Sequence, residues 1–168
     1  VDDHAVVRAG YKTYLSLSED IGDIYEADCG EVACQLFNQY HPDIVLLDLS
    51  MPGIGGFETI KRLINRDPHC KIIIFSMYDE HIYAARAIKA GAKGYITKSS
   101  MPDTLTTAVR RVAQGGTYVE MELAQQMVIK MTSGLDDAER IKLLSPREFD
   151  IFCLIANGHT TRQVAEKL

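Results

Sequence analysis

Five side chains in this 168-residue sequence have the types and positions to do chemistry together. "VDDHAVVRAG" places Asp2 and Asp3 at the start of the chain. In "DIVLLDLSMPGIGG" (43–56) an apolar run from Ile44 to Leu47 leads straight into Asp48, and Met51-Pro52-Gly53 then breaks the chain. "KIIIFS" ends on Ser76 and "GYITK" on Lys98. A charge at the edge of a core is costly unless something pairs with it. Three carboxylates brought together would each resist ionisation unless a cation sat among them. A hard divalent ion with oxygen ligands meets that need, and Mg²⁺ is the natural guest. Mg²⁺ and a lysine ammonium together suit a phosphoryl group, a hydroxyl can hydrogen-bond one of its oxygens, and an aspartate can be the nucleophile. Taken singly, each residue has an ordinary reading: a turn or cap for Asp48, solvated surface for Asp2 and Asp3. Everything depends on whether the fold brings them together.

The pattern of elements does so. "IYEA" (24–27), "DIVLLD" (43–48), "KIIIFS" (71–76) and "GYITK" (94–98) are short, β-branched or aromatic, and bounded by turn residues. Between them Ala33, Leu36, Phe37 and Tyr40 recur at helical spacing, as do Phe57, Ile60 and Ile64. A helix over 79–90 is stopped by Gly91. Another, over 101–113, carries Leu105, Ala108, Val109 and Val112 on one face, with Ser100 and Asp103 placed as a capping box. Alternating strands and helices predict an α/β fold: a doubly wound, five-stranded parallel sheet, counting one strand in front of Asp2. Such a sheet gathers its site at the carboxyl ends of the strands. Asp2 and Asp3 follow the first strand, Asp48 ends the third, Ser76 the fourth and Lys98 the fifth, so all lie on one edge. Asp48, ending the central strand beside the acidic pair, is the best placed nucleophile.

Composition bounds the rest. The chain is 46% hydrophobic with a formal net charge of -5, which gives no global attraction to nucleic acid or anionic membranes. It contains neither an apolar run long enough to span a bilayer nor a signal-peptide pattern. Cys29, Cys34, Cys70 and Cys153 form no metal-binding spacing and read as reduced thiols in a cytoplasmic protein. Both ends look cut, with a strand expected in front and at least a helix behind. After residue 117 the alternation stops: 119–131 predicts a linker helix and 132–140 a polar, mobile connection. "LSPREFDIFCLIANG" (144–158) starts a helix with Ser145 as N-cap, Pro146 in its first position and Glu148 completing the cap. Its Ile151, Leu154 and Ile155 suit a small helical core. "HTTRQVAEKL" (159–168), capped by Thr160 or Thr161, begins a second helix, so the pair reads as the opening of a helix-turn-helix.

"VDDHAVVRAG", "PDIVLLDLSMPGIGGFE", "IIIFSMYDE" and "AGAKGYITKS" resemble, in order and separation, the receiver domain of bacterial two-component response regulators, over residues 1–117. Residues 118–143 would be a linker, and 144–168 resemble the opening of a LuxR-type helix-turn-helix without its recognition helix. The combination is that of the NarL/FixJ class. The resemblance implies a flavodoxin-like receiver that is a regulator, not an enzyme beyond its own phosphoryl transfer and slow autodephosphorylation. Asp48 would be the phosphoacceptor, and Asp2, Asp3, Asp48 and the backbone carbonyl of Ser50 would hold Mg²⁺. Ser76 and Tyr95 would be the switch hydroxyl and aromatic, and Lys98 the conserved-type lysine. Taken without the family, Tyr95 reads as a half-buried strand residue. Pro52, Gly53, Gly55 and Gly56 would shape the adjoining loop. Ser99 stands where many receivers carry proline, which leaves the Lys98–Ser99 geometry open. The implied partners are a sensor histidine kinase, promoter DNA for the full-length protein, and a second copy on phosphorylation, with no membrane. Arg147, Arg162 and Lys167 are offset by Glu148, Asp150 and Glu166, so these residues alone should bind DNA poorly. Two other readings are a receiver acting through protein contacts and an Asp-nucleophile phosphatase. The "LSPRE" helix argues against the first. The phosphatase wants an acid two residues after its nucleophile, where Ser50 stands.

Overall fold

All five residues of the strand Ile72–Ser76 are buried, as a strand covered on both faces must be. The computed structural model describes residues 1–78, 81–132, 144–156, 158 and 160–167. In it β1 (Val45–Leu47), β2 (Ile72–Ser76), β3 (Gly94–Thr97) and β4 (Tyr118–Val119) lie side by side in that order, every pair parallel. Leu47 stands opposite Ile74, and Ser76 opposite Thr97. Alternation then sends Ile72 and Ile74 into one core with Leu47, Phe37, Phe57 and Leu63. Ile73 and Phe75 enter the other, with Leu15, Leu105, Ala108 and Val112. Accordingly α2 (Gly30–Tyr40), α3 (Gly55–Arg66) and α4 (His81–Lys89) cover one face, and α1 (Ala5–Ser16) and α5 (Pro102–Ala113) the other. The doubly covered parallel sheet expected from the alternation is present.

Three details depart from the expectations. The described sheet has four strands, and residues 24–27 form none of them. Among the described residues Val1 and Asp2 bridge the gap between that segment and β1: Asp2 N donates to Ala27 O (3.1 Å), and Asp48 N to Val1 O (3.0 Å). An open groove of about 540 Å³ lined by Ile24, Ala27, Leu46 and Phe75 runs along this edge. At the opposite edge β4 is a short strand that no sequence period announces. Finally, Ser100 and Asp103 do not form a capping box. The N-cap of α5 is Met101, with no side-chain cap bond. Ser100 Oγ is drawn instead to the Glu120 carboxylate, and Asp103 accepts from Tyr14 Oη (2.7 Å). The helix expected over 79–90 is seen from His81; residues 79 and 80 lie outside the described residues, as does nearly all of the connection 132–140.

Beyond the sheet lie α6 (Met121–Thr132), α7 (Pro146–Ala156) and α8 (Thr161–Lys167). The cap of α7 is as expected: Ser145 N donates to Glu148 Oε2 (2.8 Å) and Glu148 N to Ser145 Oγ (3.3 Å). Thr160 and Gln163 make the same reciprocal pair at α8. Leu154 and Val164 are buried, whereas Ile155 is exposed. The residue that anchors α7 is Phe149, fully buried and edge-on to Phe57 of α3 and Tyr83 of α4 (ring centroids 5.4 Å in each case). The Arg86 guanidinium lies 4.0 Å over the Phe149 ring and donates to Leu144 O (2.6 Å). Among the described residues no helix is long and apolar enough to cross a membrane.

Cys34 and Cys70 are buried. Burial, helped by Asp67, pushes the Cys70 thiol up to about 12, and burial also raises that of Cys34. At pH 8 only about 10⁻⁴ of Cys70 would be thiolate, the reactive form. Iodoacetamide is therefore expected to leave both unlabelled in the native protein and to label both in urea, read by peptide mass mapping. Native labelling of Cys70 would contradict this packing.

Candidate functional site

The site is built by backbone packing at the end of β1. A Cβ on Gly56 would lie 2.5 Å from Leu49 Cα and 2.7 Å from the Asp48 carbonyl oxygen. No side chain fits, so the first turn of α3 rests directly on the strand end. Gly53 has φ +83°, in the left-handed region that favours glycine. The next amide is held from α2, Ile54 N donating to Glu31 Oε1 (3.2 Å). The loop after Asp48 thus has a fixed shape, and Asp48 itself is only 3% exposed.

Lys98 reaches Asp48 from the end of β3. Its backbone N–H donates to Ser76 O (2.7 Å), continuing the ladder. Its Nζ lies 2.6 Å from Asp48 Oδ2 and 2.5 Å from Asp2 Oδ2. Each carboxylate spends its other oxygen on backbone: His4 N donates to Asp2 Oδ1 (2.9 Å) and Ser50 N to Asp48 Oδ1 (3.1 Å). Arg8 Nη1 donates to Asp2 O (2.6 Å) and steadies that turn. Burial pushes the Asp48 carboxyl above its ordinary value, only partly opposed by Lys98 and the Ser50 amide. Burial pulls the Lys98 ammonium down, but its bonds to Asp2 and Asp48 outweigh this and hold it above the ordinary lysine range.

Two buried carboxylates share a single ammonium here, leaving negative charge in excess. Asp3, exposed, meets His4 Nδ1 at 2.9 Å. Asp2, Asp3 and His4 each offer one ligand atom, all within 4.8 Å of one another. Hard oxygen donors and surplus negative charge fit a small divalent cation. Sequence reasoning did not include His4, although it adjoins the acidic pair. Ser50 is exposed and touches Asp48 through its N–H.

Ser76 and Tyr95 are both fully buried. Tyr78 joins them: its N–H faces Ser76 Oγ (3.4 Å), and its carbonyl accepts from Tyr95 Oη (2.8 Å). The Tyr78 ring stacks on Tyr83 (4.1 Å, 3°), which packs on Phe149 as described. Arg147 Nη1 donates to Gly53 O (3.3 Å) in the loop beside Asp48. The helix α7 therefore touches both sides of the site's surroundings. Those contacts depend on long-range packing, and the spacing of apolar residues in α7 does not reveal them.

Residues 1–110 match the family of the response regulator receiver domain. The chain belongs to that family. This response regulator is 35% identical over 168 residues to the response regulator GacA of Pseudomonas aeruginosa, covering 100% of this chain and 78% of that protein. It is 40% identical over 174 residues to the oxygen regulatory protein NreC of Staphylococcus epidermidis, covering 99% and 80%. A crystal structure of a LuxR-family two-component response regulator from an Aurantimonas species superposes with a TM-score of 0.72 at 34% identity, over 78% of this chain and 94% of that one. The chain is thus a two-component response regulator of the NarL/LuxR kind. Family members are in general phosphoacceptors rather than enzymes, and receiver domains generally bind Mg²⁺ at the acidic site.

Proposed function

We propose that Asp48 accepts a phosphoryl group from the phosphohistidine of a sensor kinase, and that the resulting charge controls promoter binding by the C-terminal helices. The observation that carries this reading is the Lys98 ammonium shared by two buried carboxylates where three strands end. An Asp48 oxygen attacks phosphorus in line, and the phosphorus–nitrogen bond of the donor breaks. Its electron pair returns to the imidazole, which takes up a proton. Lys98 moves from a carboxylate to a phosphoryl oxygen, and the Ser76 hydroxyl donates to another. Asp2, Asp3, Asp48 and the Ser50 carbonyl are the residues that would hold Mg²⁺, which when bound supplies charge neutralisation at the phosphoryl oxygens. Water attack on the acyl phosphate later returns the carboxylate and inorganic phosphate, so the signal has a built-in lifetime.

Tyr95 already lies inward, bonded to the Tyr78 carbonyl. Ser76 moving toward a phosphoryl oxygen would disturb the same Tyr78 turn and, through the stacked Tyr83, the seat of Phe149. The reading divides the chain into a receiver (1–117), a linker (118–143) and the opening of a LuxR-type helix-turn-helix (144–168). Phosphorylation would favour a homodimer, and in the full-length protein the completed helix-turn-helix would read paired half-sites of promoter DNA in the cytoplasm.

The test is intact mass after incubation with acetyl phosphate and Mg²⁺. Wild type is expected to gain one phosphate, and Asp48→Asn and EDTA-treated wild type to gain none. A folded wild type without any gain would refute the reading.

A further inference from the structure

The turn that carries Lys98 has no proline to stiffen it; a network of hydroxyls ending on one carboxylate holds it instead. Because the Lys98 N–H is used by Ser76 O on the β2 side, the Thr97 N–H must face β4. But the chain leaves the sheet after Val119, whose partner is Tyr95, so among the described residues no strand carbonyl receives it. The Glu120 side chain fills that place: Thr97 N donates to Glu120 Oε1 (2.9 Å). The same oxygen accepts from Ser100 Oγ (2.5 Å). Thr97 Oγ1 lies 2.8 Å from Ser100 Oγ and 3.0 Å from Ser99 Oγ. One proton order satisfies every contact: Ser99 donates to Thr97, Thr97 to Ser100, and Ser100 to the carboxylate. A charged acceptor at its end strengthens such a chain. Ser100 N to Thr97 O (3.1 Å) closes the turn.

Glu120 is itself anchored. Its carbonyl accepts from Ala124 N (2.9 Å) in the first turn of α6, and Leu123 of that turn is buried in the core with α3 and α4. One carboxylate oxygen therefore holds the Thr97 backbone amide before Lys98 and the Ser100 hydroxyl after it, from a fixed point outside the phosphoryl site. We propose that Glu120 is a positioning residue for Lys98, holding the ammonium where it can move from the Asp48 carboxylate onto a transferring phosphoryl group. This rests on Asp48 being the phosphoacceptor.

The test compares the full chain with Glu120→Ala and Glu120→Gln. Each is phosphorylated by acetyl phosphate over a range of Mg²⁺ concentrations and followed by intact mass, with thermal melts alongside. Displacement of a reacting group by a fraction of an ångström is expected to slow Glu120→Ala about tenfold at saturating Mg²⁺. Half-saturating Mg²⁺ should change less than the rate, because Glu120 itself touches none of the carboxylates that would hold the metal. Glu120→Gln keeps the acceptor oxygen and should restore the rate. A wild-type rate in Glu120→Ala overturns the proposal, as does equal slowing in both variants. Should Glu120→Ala fail to fold, Ser100→Ala removes the hydroxyl bond alone; slowing supports the proposal and a wild-type rate overturns it. A wild type that gains no Asp48-dependent phosphate would instead overturn the phosphoacceptor reading itself.

Discussion

Lys98→Ala is expected to slow phosphorylation of Asp48 by about 10²- to 10³-fold, the usual cost of deleting one stabilising donor from a phosphoryl or oxyanion site. The same change should lower stability in EDTA at neutral pH by about 3–5 kcal/mol, because it leaves buried charge without its partner. Asp2 and Asp48 would then face each other with no ammonium between them. The sign of the pH dependence follows from Asp48, whose folded carboxyl is raised above its ordinary value of 3.8 by burial. Removing Lys98 deletes the main opposing influence and raises it further. A group raised in this way contributes its full stability below the ordinary carboxyl value and loses it as pH rises through the folded value. The deficit of the variant should therefore be largest at neutral pH and shrink on acidification. Mg²⁺ should restore part of it by binding the folded state alone. Urea melts at pH 5 and 7.5, with EDTA or Mg²⁺, check this. A deficit independent of both would mean that Lys98 matters through packing, not charge.

The second large effect concerns Phe149. Burying and then deleting a phenylalanine costs about 3–5 kcal/mol, but here the loss falls on the seating of α7 rather than on the sheet. Phe149→Ala is expected to speed limited proteolysis between α6 and α7 by about 10²-fold, the equivalent of ~3 kcal/mol when cleavage tracks the open population. The main thermal transition should stay close to wild type, and Asp48 should still take up phosphate. Phe152, 43% exposed, is the control: Phe152→Ala should leave the cleavage rate nearly unchanged. If Phe149→Ala is cleaved no faster, α7 is held by Arg86, Arg147 and their neighbours instead.

How much of this was readable beforehand depends on whether a feature repeats along the chain. The runs Ile44–Leu47 and Ile72–Phe75 are apolar on both faces, and that alone demands a sheet covered twice. The sheet's direction then puts Asp2, Asp48, Ser76 and Lys98 on one edge without any coordinates. By contrast, α1 buries only Leu15, too thin a stripe for a periodicity argument, so the helix there follows from the β/α alternation and not from its own spacing. Tyr118–Val119 is too short to show alternation. Ser100 satisfies the spacing of a helix cap, yet a carboxylate twenty residues away outbids the helix amide for its hydroxyl. Phe149 sits in a helix whose apolar positions look sufficient for a core of their own. Only the meeting with Phe57, Tyr83 and Arg86 shows that it faces the receiver. Side chains acting singly across long separations leave no trace in a pattern.

The position of Glu120 also bears on how such proteins can be recombined. By resemblance the receiver ends at Thr117, and a fusion made there would look tidy. It would remove β4, leave β3 as an open edge ready to pair with any passing strand, and strip the Lys98 turn of its carboxylate. A receiver transplanted onto a foreign output module would then fold around a loosened lysine and respond sluggishly. A transplant that keeps the Lys98 turn as it stands has to extend through Glu120 into the first turn of α6.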